Sequence, residues 1–222
     1  MKQTMNNSKT FIFDMDGTTF DSMYAWINCG ERYLSSLGLK PEPDLGKKLL
    51  SMNMKEGAEY LKRTYLLDLS LKEICDGVNN TIKDAYSYEV QFKPGAKEFL
   101  QELKKHGKTT VLCTNTDRCT FKNAFKRLGV DSLFDIIHTT SEMQMSKSDP
   151  EIFIAIANET NSTPKETWVF EDSLYAIRTA FNAGFNTAGI YDEYSKHHLE
   201  QIIKHSTNFF NNYQEVMNYF FN

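Results

Sequence analysis

From residue 21 to residue 91 the chain offers no segment that reads as a β-strand, yet short apolar runs alternate with helical patterns on both sides of that gap. Strand candidates are Thr10–Phe13, Thr109–Cys113, Asp135–His138, Thr167–Phe170 and Thr187–Ile190. Between them lie helical stretches at Gly95–Lys105, Arg118–Leu128, Pro150–Asn158 and Ser173–Ala183. Arg118–Leu128 has apolar residues at Phe121, Ala124, Phe125 and Leu128, and Gly129 and Gly184 stand where helices stop. Strands that alternate with helices predict an α/β fold with a mainly parallel sheet. The intervening stretch reads as helices only, at Tyr24–Leu37, Gly46–Leu50, Lys55–Tyr65 and Leu71–Tyr86. The expectation is therefore an all-helical domain of residues 21–92 inserted into a core of residues 1–20 and 93–222, with hinges near Phe20–Ser22 and Phe92–Pro94.

A length of 222 residues accommodates such a core with an insertion. The net charge of −4 is mild and the Lys and Arg residues are scattered, which gives no reason to expect nucleic acid or an anionic membrane as a partner. Cys29, Cys75, Cys113 and Cys119 form no C-x-x-C pair, and their spacing suits neither a zinc site nor a disulfide framework. The first residues, Met1 to Lys9, are polar and Asn-rich; they read as an unstructured start rather than a signal peptide. A reduced, cytoplasmic protein, monomeric or weakly dimeric, is the expectation.

The chemistry gathers where strands end. Phe11-Ile12-Phe13 runs into Asp14-Met15-Asp16-Gly17-Thr18, two carboxylates one residue apart. In doubly wound sheets ligands sit beyond the carboxyl ends of strands. Paired carboxylates are costly unless a cation or proton neutralises them, and Mg²⁺, a hard ion, takes carboxylate and phosphate oxygens. Asp14 is placed to attack phosphorus in line, and Asp16 to protonate the leaving oxygen and then deprotonate water. Val111-Leu112-Cys113 ends in Thr114-Asn115, a hydroxyl and an amide suited to a phosphate cradle. Lys147, before Ser148-Asp149-Pro150, is a candidate to neutralise phosphoryl oxygens and the nucleophile. Trp168-Val169-Phe170 ends in Glu171-Asp172-Ser173, two acids that complete a metal-holding pocket. Taken singly, each motif is equally well a helix cap, a solvated turn or a surface lysine. Their convergence on four strand ends is what carries the reading.

These residues resemble the haloacid dehalogenase superfamily of hydrolases, in the branch with a helical cap after the first strand, which includes beta-phosphoglucomutase and phosphoglycolate phosphatase-like proteins. Asp14–Thr18 is similar to its first motif, Thr114 to its second, Lys147 to its third and Glu171-Asp172-Ser173 to its fourth. The resemblance implies a Rossmann-like core, a mobile cap and Mg²⁺. It implies metal ligation by carboxylates at Asp14 and Asp172 and by the main-chain carbonyl of Asp16, with Glu171 a direct or water-mediated participant. Asp16 argues against a dehalogenase, which lacks an acid there. Ser148 replaces the proline that often follows the lysine, and Ala176 a common glycine. Phosphosugar mutases of the branch carry a histidine twelve positions after the nucleophile; here that position is Trp26, which favours a phosphatase over a mutase, the alternative. Substrate selection is assigned to the cap, with Trp26, Asn53 and Lys55 as candidates. The competing reading there is ordinary: Met52 and Met54 packed inside the cap and Lys55 solvated.

Overall fold

The computed structural model describes residues 3–49, 52–130 and 132–222. The chain divides into two compact units: Met1–Asp21, Gln91–Arg118 and Phe125–Asn222 in one, Ser22–Val90 with Cys119–Ala124 in the other.

The first unit is α/β. Its main sheet contains β1 (Thr10–Phe13), β4 (Thr109–Thr114), β5 (Ile136–Thr139), β6 (Thr167–Glu171), β7 (Asn186–Ile190) and β8 (Asn208–Phe210). Their order is β5-β4-β1-β6-β7-β8, all parallel. β1, β4 and β6 read as near-continuous apolar runs because both faces of a parallel sheet are covered. Alternate residues along β1 feed opposite layers. Phe11 and Phe13 pack edge-on against Phe99 of α7 (Ala96–Lys105), and Phe11 also against Phe220 of α13 (Tyr213–Phe221). Ile12 joins the opposite cluster with Ile152 and Ile156 of α10 (Glu151–Glu159), which follows α8 (Arg118–Leu128) and α9 (Thr140–Met143) in the chain, and with Ala176 and Ala180 of α11 (Leu174–Asn182). Each ring buried this way contributes about 2–3 kcal/mol.

Register positions the chemistry. Phe13 lies opposite Leu112 on β4 and Phe170 on β6, so Asp14, Thr114 and Glu171 emerge at one edge. A short antiparallel ribbon of β2 (Phe20–Asp21) and β3 (Gln91–Phe92) forms at the expected hinge positions, with the Phe20 and Phe92 rings stacked at 4.5 Å.

The helical unit contains α2 (Met23–Ile27), α3 (Cys29–Ser36), α4 (Leu45–Leu49), α5 (Met54–Tyr65) and α6 (Leu71–Tyr88). The single helix expected over Tyr24–Leu37 is two helices, broken at Asn28, whose φ and ψ of −91° and 6° leave the helical region. The expected end of α4 at Leu50 lies outside the described residues.

Two further features depart from the expectations. The Asn-rich start forms a short helix, α1 (Gln3–Asn7), anchored by fully buried Met5 and by Lys108 Nζ, which donates to the Met5 and Ser8 carbonyls. Beyond Ile190 the tail adds α12 (Leu199–Lys204), β8 and α13, of which the sequence pattern gave no strand signal in three residues. The four cysteines are free. Among the described residues, no helix is long and apolar enough to cross a membrane.

Candidate active site

Asp14, Lys147, Glu171 and Asp172 come together at the carboxyl ends of β1 and β6, all nearly buried. Lys147 Nζ donates to Asp14 Oδ1 and, at 2.9 Å, to Glu171 Oε1. The ligand atoms of Asp14, Glu171 and Asp172 lie within 4.8 Å of one another. Three buried carboxylates thus face one ammonium.

That imbalance is visible in the acidities. Burial, the largest influence on Lys147, disfavours its charge, but Asp14 and Glu171 outweigh it and hold the ammonium well above the ordinary lysine range. Burial pushes Asp14 well up, against Lys147 and with the help of Glu171, Asp172 and Asp16. Burial and then Glu171 push Asp172 up to about 7, although Ser195 and Thr18 donate to it. The group lacks positive charge, and its donors are hard carboxylate oxygens; both properties fit a divalent ion such as Mg²⁺.

Each acid has a holder. Thr18 Oγ1 donates to Asp172 Oδ1 at 3.0 Å and Ser195 Oγ to Asp172 Oδ2 at 2.6 Å. Ser173 donates through its main-chain N–H (2.9 Å) and its hydroxyl (2.6 Å) to Glu171 Oε2, so both Glu171 oxygens are engaged, one by Lys147 and one by Ser173. Thr19 Oγ1 donates to the main-chain carbonyl of Asp14 at 2.6 Å. Asp16 stands apart from the three-carboxylate group and accepts from Thr116 Oγ1 at 2.6 Å. Thr114, fully buried, accepts from Thr116 N–H at 3.0 Å. Asn115, its neighbour, donates from Nδ2 to the Tyr175 hydroxyl at 2.6 Å.

Gly17 shows why the first motif needs glycine. Its φ is +78°, in the left-handed region. A Cβ there would stand 2.7 Å from Asp172 Oδ2. Gly17→Ala is therefore expected to cost about 1–2 kcal/mol in backbone strain and to displace the Asp172 carboxylate as well. Were Asp172 to hold Mg²⁺, isothermal titration with that ion should register at least about tenfold weaker binding, the scale for a disturbed metal site. Unchanged binding would exclude Asp172 as a ligand.

The cap candidates lie in the helical unit. Trp26 Nε1 donates to the Tyr86 hydroxyl at 3.1 Å. Asn53 caps α5: its Oδ1 accepts from Glu56 N–H (3.0 Å), while the Glu56 carboxylate accepts from Asn53 N–H (2.9 Å). Lys55 is exposed. Trp26 and Asn53 line a cavity of about 230 Å³ within this unit, walled by Ile27, Met52, Leu61 and Val78; Lys55 does not.

Sequence reading missed Thr18, Thr19, Thr116 and Ser195 as holders, and Tyr175 as the partner of Asn115. Thr18 and Thr19 adjoin the first motif and were findable from that proximity. Ser195, beyond the last strand read, had no local signal.

Comparison with known proteins identifies the family and the fold. The profile of the family described as haloacid dehalogenase-like hydrolase matches residues 11–190. A phosphorylated carbohydrates phosphatase from Thermotoga maritima is 27% identical over 173 residues, 78% of this chain and 80% of that protein. A glyceraldehyde 3-phosphate phosphatase from Pyrococcus furiosus is 29% identical over 212 residues, 88% of this chain and 86% of that protein. Among solved structures, a Thermotoga maritima protein provisionally assigned as a beta-phosphoglucomutase superposes with a TM-score of 0.82 at 24% identity, covering 95% of this chain and 97% of that one. CbbY from Rhodobacter sphaeroides, solved with phosphate, superposes with a TM-score of 0.73 at 19% identity, covering 94% and 96%. At these identities the structures speak for the fold alone.

Proposed function

The chain belongs to the haloacid dehalogenase-like hydrolases, and from that membership we propose that it is a Mg²⁺-dependent phosphatase acting on a small phosphorylated metabolite through an aspartyl-phosphate. The observation that carries the reading is the meeting of three buried carboxylates with one buried lysine at the end of β1 and β6. The printed activities of the matching relatives, phosphatases of phosphorylated carbohydrates and of glyceraldehyde 3-phosphate, support a small phosphate ester as substrate.

Asp14 is the proposed nucleophile. The Thr19 hydroxyl on its main-chain carbonyl and Lys147 on its carboxylate fix its direction, so attack needs little reorganisation. Lys147 also offers positive charge to the phosphoryl oxygens, while Glu171, pinned by Ser173, keeps that ammonium in place. The Thr114 hydroxyl, already accepting from Thr116 N–H, has its own proton to offer the phosphoryl group. Asp16 gives a proton to the leaving oxygen and takes one from water in the second step, oriented by Thr116. Asp14, Asp172 and the main-chain carbonyl of Asp16 would hold Mg²⁺, with Glu171 acting on it directly or through water. When bound, the ion supplies the positive charge that the cluster lacks and polarises the phosphoryl group. The helical unit, residues 21–92 in the sequence reading, is proposed to cap the core and select the substrate, with Trp26, Asn53 and Lys55 as its candidates. Trp26 and Asn53 are the better supported of the three, because they line its cavity.

The test is phosphate release from a panel of aryl, sugar, triose and nucleoside phosphates, in Mg²⁺ and after chelation. Release that stops on chelation and returns with Mg²⁺ is expected. No release from any ester would overturn the reading; isomerisation of a hexose 1-phosphate without release would replace it with a mutase.

A further inference from the structure

The sheet order places β1 between β4 and β6, so whatever joins the ends of those two strands crosses above Asp14. One side-chain pair does so. Asn115 follows the last residue of β4, and Tyr175 lies in the first turn of α11, just after β6. Asn115 Nδ2 donates to the Tyr175 hydroxyl at 2.6 Å. An amide N–H can only donate, so the phenol is the acceptor in that bond. Its own O–H has no acceptor among the described residues. Tyr175 is also within reach of solvent, 37% exposed, while Asp14, Lys147 and Glu171 beneath are buried.

We infer that Tyr175 is a substrate-binding residue whose hydroxyl donates a hydrogen bond to a non-bridging phosphoryl oxygen, with Asn115 holding the phenol over Asp14. This rests on the phosphatase reading above and adds to it a residue outside the four sequence motifs. The phenol that accepts from Asn115 keeps its own proton to donate, and an anion that enters above the nucleophile can take that bond in place of water. Burial and the charge of Glu171, with Lys147 opposing, push the phenol up to about 12, so the proton stays on oxygen at any working pH. A neutral donor suits the position: it adds a hydrogen bond to a charged ligand without adding charge to the group below.

Tyr175→Phe removes the hydroxyl and keeps the ring. The measurement is competitive inhibition by inorganic phosphate during hydrolysis of an aryl phosphate. The inhibition constant and KM are expected to rise about tenfold, the scale of one lost hydrogen bond to a charged ligand. kcat should change less, and the melting temperature and Mg²⁺ titration should not change. Asn115→Ala alone should weaken phosphate several-fold, yet add little on top of Tyr175→Phe, because both act through one hydroxyl. An inhibition constant for Tyr175→Phe equal to that of wild type would overturn the assignment while leaving the phosphatase reading intact. A wild-type protein that releases no phosphate from any ester would overturn the phosphatase reading, and this assignment with it.

Discussion

Asp14→Asn is expected to lower kcat/KM by at least about 10⁴-fold, the scale seen when a nucleophile is removed, without loss of stability. The amide keeps the size of the carboxylate and can still accept from Lys147. It cannot form the aspartyl-phosphate, so intact-mass spectrometry after substrate mixing should find no phosphorylated adduct. Stability should respond in the opposite sense from most substitutions in a buried site. Burial and three neighbouring acids disfavour the Asp14 charge, and only Lys147 favours it. Removing that charge leaves two carboxylates around the ammonium in place of three. In metal-free buffer the melting temperature should therefore hold or rise. Turnover equal to wild type would remove Asp14 from the mechanism; a large fall in melting temperature would show that its charge is needed for folding.

Lys147→Met should be the most damaging single change to the metal-free protein. Lysine at this position is 1% exposed and its charge is shared between Asp14 and Glu171. Methionine fills most of the space but leaves three carboxylates with no cation. Removing one partner of a buried ion pair costs about 3–5 kcal/mol. The cost must depend on pH. An acid whose folded-state pKa is raised binds more protons folded than unfolded, so its stability contribution falls as pH rises from the unfolded value. For Asp172 that window, up to about 7, is common to wild type and variant, because Lys147 is not among the groups that shift it; the difference lies in Asp14. Asp14, deprived of the one neighbour that lowers it, moves further in the same direction. The variant should therefore lie closest to wild type in melting temperature near pH 5 and furthest near pH 8. Added Mg²⁺ should recover part of the difference at pH 8, because the ion binds the deprotonated acids. Activity should fall by at least about 10³-fold even with Mg²⁺, through loss of electrostatic stabilisation of the transferring group. A pH-independent loss of stability would mean that the acids are not the source of the penalty.

The reacting groups were legible in the sequence for a local reason. A buried parallel strand is an apolar run, and the residue at which the run stops is the residue at the sheet edge. Asp14, Thr114 and Glu171-Asp172 each follow such a run directly, so their place in space is set by their place in sequence. Lys147, which reads from its place before Ser148-Asp149-Pro150 as a fourth strand end, follows no strand: β5 stops at Thr139 and a short helix intervenes, so its burial beside Asp14 became evident only in the fold.

Local pattern also determined the parallel core, most of its helices and a strand-free insertion, because periods of two and 3.6 residues are written in neighbouring positions. Only the tertiary structure decided which side chains hold the acids. Thr18 and Ser195 reach Asp172 from 154 and 23 residues away, Thr116 reaches Asp16 from 100, and Asn115 meets Tyr175 across 60. Hydrogen bonds between distant segments leave no periodicity behind, and a lone hydroxyl has no preferred partner until packing brings one within 3 Å.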